Sequence, residues 1–205
     1  MDQLSKLTSQ WQEEQLCLPI WMEQGKVSFI DQLKLPREER ILTTSRVEDL
    51  ADAIRTMAIR GSGAIGITGV YAMLLAAVTS KGDRSAILEA GALMKSTRPT
   101  AINLMKTVDE LSAFVQQYTG QDLLDAFTAK CCEILVRQLE FERRLGENGA
   151  ALIEDGDSIL THCHSGALAG SGFGGRALSV IRTAFQQGKR IHVYTSETRP
   201  YLQGA

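Results

Sequence analysis

The chain has 205 residues, 44% of them hydrophobic and 22% charged, with a formal net charge of −2. That length suits one large domain or two modest ones, and the composition is that of an ordinary globular protein. The balance of charge offers no broad basic surface for nucleic acid, and the four cysteines contain no C-x-x-C pair and imply no disulfide framework.

Cys17, Cys131, Cys132 and Cys163 read as reduced thiols, and a cytoplasmic location is expected. Residues 1–15 are polar, with Asp2, Glu13 and Glu14, so a secretory signal is not expected. Residues 61–80 carry no charge and are long enough to cross a bilayer. Gly61, Gly63, Gly66 and Gly69 within them fit a buried core helix better, and no membrane partner is expected.

In chain order, residues 1–15 are helical or loose, and residues 18–30 form a hairpin around Glu23-Gln24-Gly25-Lys26. Ile41-Leu42 suggests another short strand. Thr44-Ser45 then caps a helix whose apolar positions are Val47, Leu50, Ala51, Ile54, Met57 and Ala58. Arg60-Gly61-Ser62-Gly63 breaks it, and residues 64–78, apolar on every side, make a buried helix. Helices are predicted over 85–96, 101–118 and 123 to about 144, separated by Thr97-Arg98-Pro99-Thr100 and Gly120-Gln121-Asp122.

Gly146, Gly149 and Gly156 mark a shift in composition. Beyond them the pattern is a strand at 158–161, a long loop, a helix at 176–187 and a strand at 190–194. That is one βαβ unit, which implies a parallel sheet. Two parallel strands do not make a stable sheet alone, so the sequence is expected to stop inside a domain.

Chemistry concentrates between the two strands. Gly170-Ser171-Gly172-Phe173-Gly174-Gly175 satisfies G-x-G-x-x-G between a strand and a helix, with Glu197 further on. The preceding loop is long for a dinucleotide turn, so a phosphate held by backbone N–H groups is the preferred functional reading over NAD. The plain alternative is a helix start made small for close packing. Cys163 follows a strand end, where ligands of parallel sheets bind, and His162 or His164 could activate it; most free cysteines, however, are small core hydrophobes. Neighbouring His162, Cys163 and His164 diverge in extended backbone, so no metal is expected. Arg60 and Arg98 each stand at a break before a helix, where charge and helix dipole together could hold a phosphate; the plain alternative is two ordinary surface arginines. His192 reads as structural. Glu197 and Arg199 suit either a salt bridge or a substrate contact.

Five stretches taken together resemble the methylthioribose-1-phosphate isomerase family, relatives of the regulatory subunits of initiation factor eIF2B. They are DQLKLP from Asp31, MAIRGSGAIG from Met57, TRPTAINL from Thr97, THCHSGAL from Thr161 and ETRPYLQGA from Glu197. The resemblance implies an α/β fold: a mainly helical N-terminal domain with a small β-hairpin region over 1–148, then the first βαβ unit of an incomplete Rossmann-like domain over 149–205. It implies a homodimer, a sugar-phosphate substrate, no cofactor and no nucleic acid. Arg60, Gly61, Ser62, Arg98 and Gln203 would meet the substrate and its phosphate, and Cys163 would be one of two proton-transferring groups. The chain departs from the family at Ser62-Gly63, where Ala-Pro is usual, and at His164-Ser165, where Asn-Thr is usual. The family's catalytic Asp would lie beyond Ala205.

Three functions follow as expectations. The first is an aldose–ketose isomerase of methionine salvage, impaired as a truncated chain. The second is a non-catalytic, eIF2B-like module that binds sugar phosphate or another subunit. The third is an isomerase for a different pentose or deoxypentose 1-phosphate.

Overall fold

The computed structural model describes residues 2–202. Helix α1 (Asp2–Glu13) turns Leu4 and Trp11 into the core. The two apolar runs pair as the predicted hairpin, β1 (Ile20–Glu23) against β2 (Lys26–Ile30), with Ile20 opposite Phe29 and Met22 opposite Val27. β3 (Ile41–Thr44) joins the other edge of β2, also antiparallel. One face of this sheet buries Ile20, Met22, Val27 and Phe29; alternation at period 2 delivers them to the same side.

Helix α2 (Val47–Arg55) begins later than its sequence signal suggests. Its N-cap is Arg46, without a side-chain cap bond. Thr44 works from outside the helix instead, accepting from the Arg46 amide at 3.0 Å and donating to Asp49 at 2.6 Å. Helix α3 (Ser62–Thr79) follows after the predicted break. It is buried on all sides from Ala64 to Ala77, and its central Val70, Met73, Leu74 and Leu75 are fully enclosed. Each such side chain contributes about 1.5–3 kcal/mol of transfer free energy. The helix is long and apolar enough to cross a bilayer, yet 78% of it is buried within the protein.

α4 (Arg84–Thr97) and α5 (Ile102–Gln117) flank α3. Asp83 and Asp122, read from the sequence as turn residues, also cap α4 and the next helix, α6 (Leu123–Ala150), by accepting from Ala86 and Asp125 amides at 2.9 and 3.1 Å. α6 runs past the predicted stop near Arg144 and through Gly146 and Gly149. Those glycines are contact points, not breaks. A β-carbon on Gly146 would lie 2.8 Å from the Ser179 carbonyl oxygen of α7 (Ala177–Gln186), so the two helices cross backbone to backbone there. The position 148/149 is therefore inside a continuous helix. Cys131 and Cys132 both lie in the core, on adjacent helical positions.

β4 (Ser158–Thr161) and β5 (His192–Thr195) pair in parallel on either side of α7, Leu160 opposite Tyr194. Leu160 is 75% and Tyr194 55% exposed, so one face of this two-stranded sheet is open to solvent. Among the described residues, the fold is thus mostly helical, with one antiparallel and one parallel sheet.

Candidate functional site

The loop ahead of α3 carries the first half of the site. Arg60 is 3% exposed. Its Nη2 donates to the Tyr201 carbonyl at 2.6 Å, and its guanidinium lies over the Tyr201 ring at 5.4 Å. Nε and Nη1 are buried without a hydrogen-bond partner among the described residues. Burial pushes the Arg60 pKa down, and among the described residues no ion pair with a carboxylate offsets it. A buried, unpaired guanidinium costs several kcal/mol unless an anion meets it. Gly61 has φ +97 and is the N-cap of α3, with no side-chain cap bond. The first N–H groups of α3, which directly follow Arg60 in the chain, have no side-chain cap, and the helix dipole adds its partial positive charge there. Ser62 is exposed and its hydroxyl accepts from Asn103 Nδ2 at 2.7 Å, which sets the first turn of α5 beside the first turn of α3.

The second half is the loop after β4. Cys163 is exposed and has φ +71, an uncommon backbone state for a residue with a β-carbon. Such a state costs about 1–3 kcal/mol and needs surrounding contacts to hold it. Ser165 supplies them: its hydroxyl bridges Thr161 Oγ1 at 2.7 Å and the carbonyls of His162 and Cys163 at 3.2 Å each. His162 Nδ1 lies 2.9 Å from Ser196 Oγ, tying this loop to the end of β5. His164 is partly buried, and its Nδ1 has no hydrogen-bond partner among the described residues. Burial first, and the nearby charge of Arg60 second, bring its pKa down to about 4, so the imidazole is neutral at pH 7.

The two loops touch. A 3-10 turn, Ala167–Ala169, packs against the start of α3, and Ala169 lies directly on Gly61 and Gly63. Gln32, 1% exposed, donates from Nε2 to the Leu168 carbonyl at 3.0 Å and to the Arg60 carbonyl at 3.5 Å. One buried amide thus ties the Arg60 loop to the Cys163 loop.

The glycine loop does not have the role preferred from sequence. Its N–H groups are already used. Glu142 of α6, 4% exposed, accepts from the amides of Ser171 at 2.5 Å, Phe173 at 3.2 Å and Gly175 at 3.2 Å. The G-x-G-x-x-G segment holds an internal carboxylate, which displaces both the dinucleotide reading and the phosphate reading of these amides. Burial raises the Glu142 pKa, and the amide bonds pull it the other way.

Among the remaining expected residues, Arg98 ends α4 in extended backbone (φ −143, ψ 95), as Pro99 after it requires. It is partly exposed and sits just ahead of α5, whose N-cap Ala101 also lacks a side-chain cap bond. Arg60 and Arg98 therefore precede the neighbouring, uncapped ends of α3 and α5. Gln203 lies outside the described residues. Glu197 and Arg199 form an ion pair at 3.0 Å, the structural option of the two open for them. His192 is on β5 with its ring 4.5 Å from that of Tyr194. Gln32, Asn103 and Glu142 were not singled out from sequence, whereas His164 was named there as a possible activator of Cys163. Gln32 and Asn103 sit within the family-like stretches; Glu142 has no local signal at all.

The profile of the Initiation factor 2 subunit family matches residues 58–205. The chain is 42% identical over 197 residues to the methylthioribose-1-phosphate isomerase of Roseiflexus sp. (strain RS-1), covering 91% of this chain and 56% of that protein. It is 40% identical over 192 residues to the isomerase of the same name from Desulforudis audaxviator (strain MP104C), with 91% and 55% covered. Two solved structures are similar. The translation initiation factor eIF-2B subunit delta from A. fulgidus aligns with TM-score 0.77 and 35% identity over 92% of this chain and 56% of that one. The 5-methylthioribose 1-phosphate isomerase from Pyrococcus horikoshii OT3 aligns with TM-score 0.80 and 30% identity over 94% and 56%. The chain spans about half the length of the relatives it matches.

Proposed function

The chain belongs to the Initiation factor 2 subunit family, and we propose that it carries the substrate-binding share of an aldose–ketose isomerase acting on 5-methylthioribose 1-phosphate. One observation carries the reading: Arg60 is buried with Nε and Nη1 unpartnered among the described residues, beside the uncapped start of α3 and next to the loop of Cys163. That combination is an anion site with a thiol beside it. Arg60, the amides at Gly61 and Ser62, and Arg98 hold the phosphate, and Gln203 is assigned to the sugar.

The chemistry asks for two groups. The C1 phosphate blocks simple opening of the sugar ring, so one group protonates the ring oxygen as the C1–O bond breaks. The other takes the C2 proton, and C1 is protonated as the C2 hydroxyl becomes a carbonyl. We assign Cys163 to one of these two positions. Neutral His164 beside it gives or accepts a hydrogen bond without adding a second positive charge next to Arg60. Residues 149–205 are taken as the opening of a Rossmann-like unit, with α6 shared between it and the helical part over 1–148. Because the relatives are nearly twice as long, these residues are assigned a share of the reaction, not all of it.

The test is binding and turnover measured together on the 205-residue chain. Calorimetry should detect the sugar 1-phosphate, while phosphorus NMR should show negligible ketose formed. Brisk turnover would contradict the assignment of a partial share. Absence of binding would contradict the site. The likeness to eIF-2B subunit delta supports a second reading, a module that binds a sugar phosphate without reacting it. Under that reading Cys163→Ala leaves affinity unchanged and a full-length relative-like protein carrying this segment forms no ketose. A different substituent at C5 of the sugar is decided by comparing pentose 1-phosphates in the same titration.

A further inference from the structure

We propose that Glu142 is a positioning residue, whose carboxylate fills the glycine nest and thereby sets the loop of Cys163 against the loop of Arg60. The inference rests on the reading of that site given above, but its observations are separate from it.

A run of glycines with converging N–H groups ordinarily takes up an anion from outside. Here α6 supplies one from within. Glu142 receives three amides, from Ser171, Phe173 and Gly175, spread over the whole loop. Charge-assisted bonds of this kind are about twice as strong as neutral ones, and in a buried setting they fix geometry. The fit is close, since a β-carbon on Gly170 would run into the Glu142 carboxylate. A second clasp acts on the same loop: Arg182 donates to the Phe173 carbonyl at 2.5 Å and lies over the Phe173 ring at 4.6 Å.

The held loop is in turn the floor of the site. Gly175 lies against the start of the Cys163 loop, where a β-carbon on it would stand 2.9 Å from the Ser165 carbonyl oxygen. The same carbonyl accepts from the Leu178 amide at 3.2 Å. Ser165 is the residue whose hydroxyl bonds the Cys163 carbonyl. At the other end, Gly170 and Ala169 pack on Gly63 and Gly61. Glu142 therefore reaches both halves of the site through backbone it holds directly. The thiol's left-handed conformation and the seat of the Arg60 loop depend on the same carboxylate.

The experiment uses the full chain with Cys17→Ser, since Cys17 is the other exposed thiol and Cys131 and Cys132 are buried. Cys163 is alkylated with iodoacetamide, and Glu142→Gln and Glu142→Ala are compared with the parent. The expected result is an alkylation rate raised about fivefold or more, the ratio set by loss of about one net hydrogen bond. Formate, but not chloride at equal ionic strength, should restore the slow rate in Glu142→Ala, a rescue that a merely space-filling side chain would not permit. Unchanged alkylation in folded Glu142→Gln overturns the proposal. If neither variant folds, hydrogen exchange on the unaltered chain decides: amides 171, 173 and 175 exchange as slowly as those in the core of α6, or exchange like an open loop and refute it. None of these readouts involves turnover or a sugar phosphate, so a chain that isomerises nothing leaves them intact.

Discussion

Gly61 and Ala169 lie so close that a β-carbon on the glycine would overlap the alanine backbone. The contact joins the loop before α3 to the loop after β4, which are more than a hundred residues apart in sequence. Gly61→Ala should therefore cost about 2–4 kcal/mol, from the left-handed φ and the overlap combined. A drop in Tm of roughly 5–12 °C is expected at this chain size. Gly156→Ala is the control: its φ of +94 is equally demanding, but nothing stands within 4 Å of the added carbon. It should cost only about 1 kcal/mol, and equal costs at the two sites would mean that the loops do not bear on each other.

Arg60→Met should separate stability from binding. The substitution removes a buried charge that, among the described residues, has one side-chain hydrogen bond and no carboxylate partner. Replacing such a group by an apolar side chain of similar volume is neutral or stabilising, by up to about 4 kcal/mol. Differential scanning fluorimetry should show Tm unchanged or higher, while affinity for sugar 1-phosphate falls at least about tenfold. A Tm lowered by several degrees would show that the guanidinium is a structural group, held for the fold.

His164 predicts a pH effect of definite sign. Its folded pKa of about 4 lies below the ordinary 6.5, so the unfolded chain takes up the proton first. The corresponding stability is complete above pH 6.5 and is lost as pH falls from 6.5 towards 4. With allowance for partial exposure it amounts to about 1–2 kcal/mol. Glu142 pulls the opposite way, because a raised carboxyl pKa favours the folded state on the acid side. The informative quantity is therefore a difference: urea unfolding of the parent minus that of His164→Gln, at pH 7 and pH 4.5. The difference should shrink or reverse towards acid; a constant difference would mean that His164 titrates normally.

What could be read from the sequence was local. The hairpin shows in the Glu23–Lys26 turn between apolar runs, α3 in an uncharged stretch too long for a strand, and the β4–α7–β5 unit in alternating strand and helix patterns. Each element in these signals lies within about 20 neighbouring residues. What failed depended on distant partners. The end of α6 was misplaced because Gly146 and Gly149 look like helix breakers until α7 is packed on them. The glycine loop looked free to bind a phosphate because nothing near it in sequence announces that Glu142 will occupy it. Gln32 and His164 lay inside recognisable stretches, but their role depends on burial against Arg60, which is set only by the folded chain.

The account's central claim is that Arg60 and Cys163 serve one sugar-phosphate site. Iodoacetamide labelling of Cys163 in the Cys17→Ser chain, with and without sugar 1-phosphate, tests it directly. The account predicts that the sugar 1-phosphate slows labelling, that the free sugar does so much less, and that Arg60→Met abolishes the protection while leaving the chain folded. Labelling indifferent to sugar 1-phosphate, or protection that persists in Arg60→Met, would contradict it.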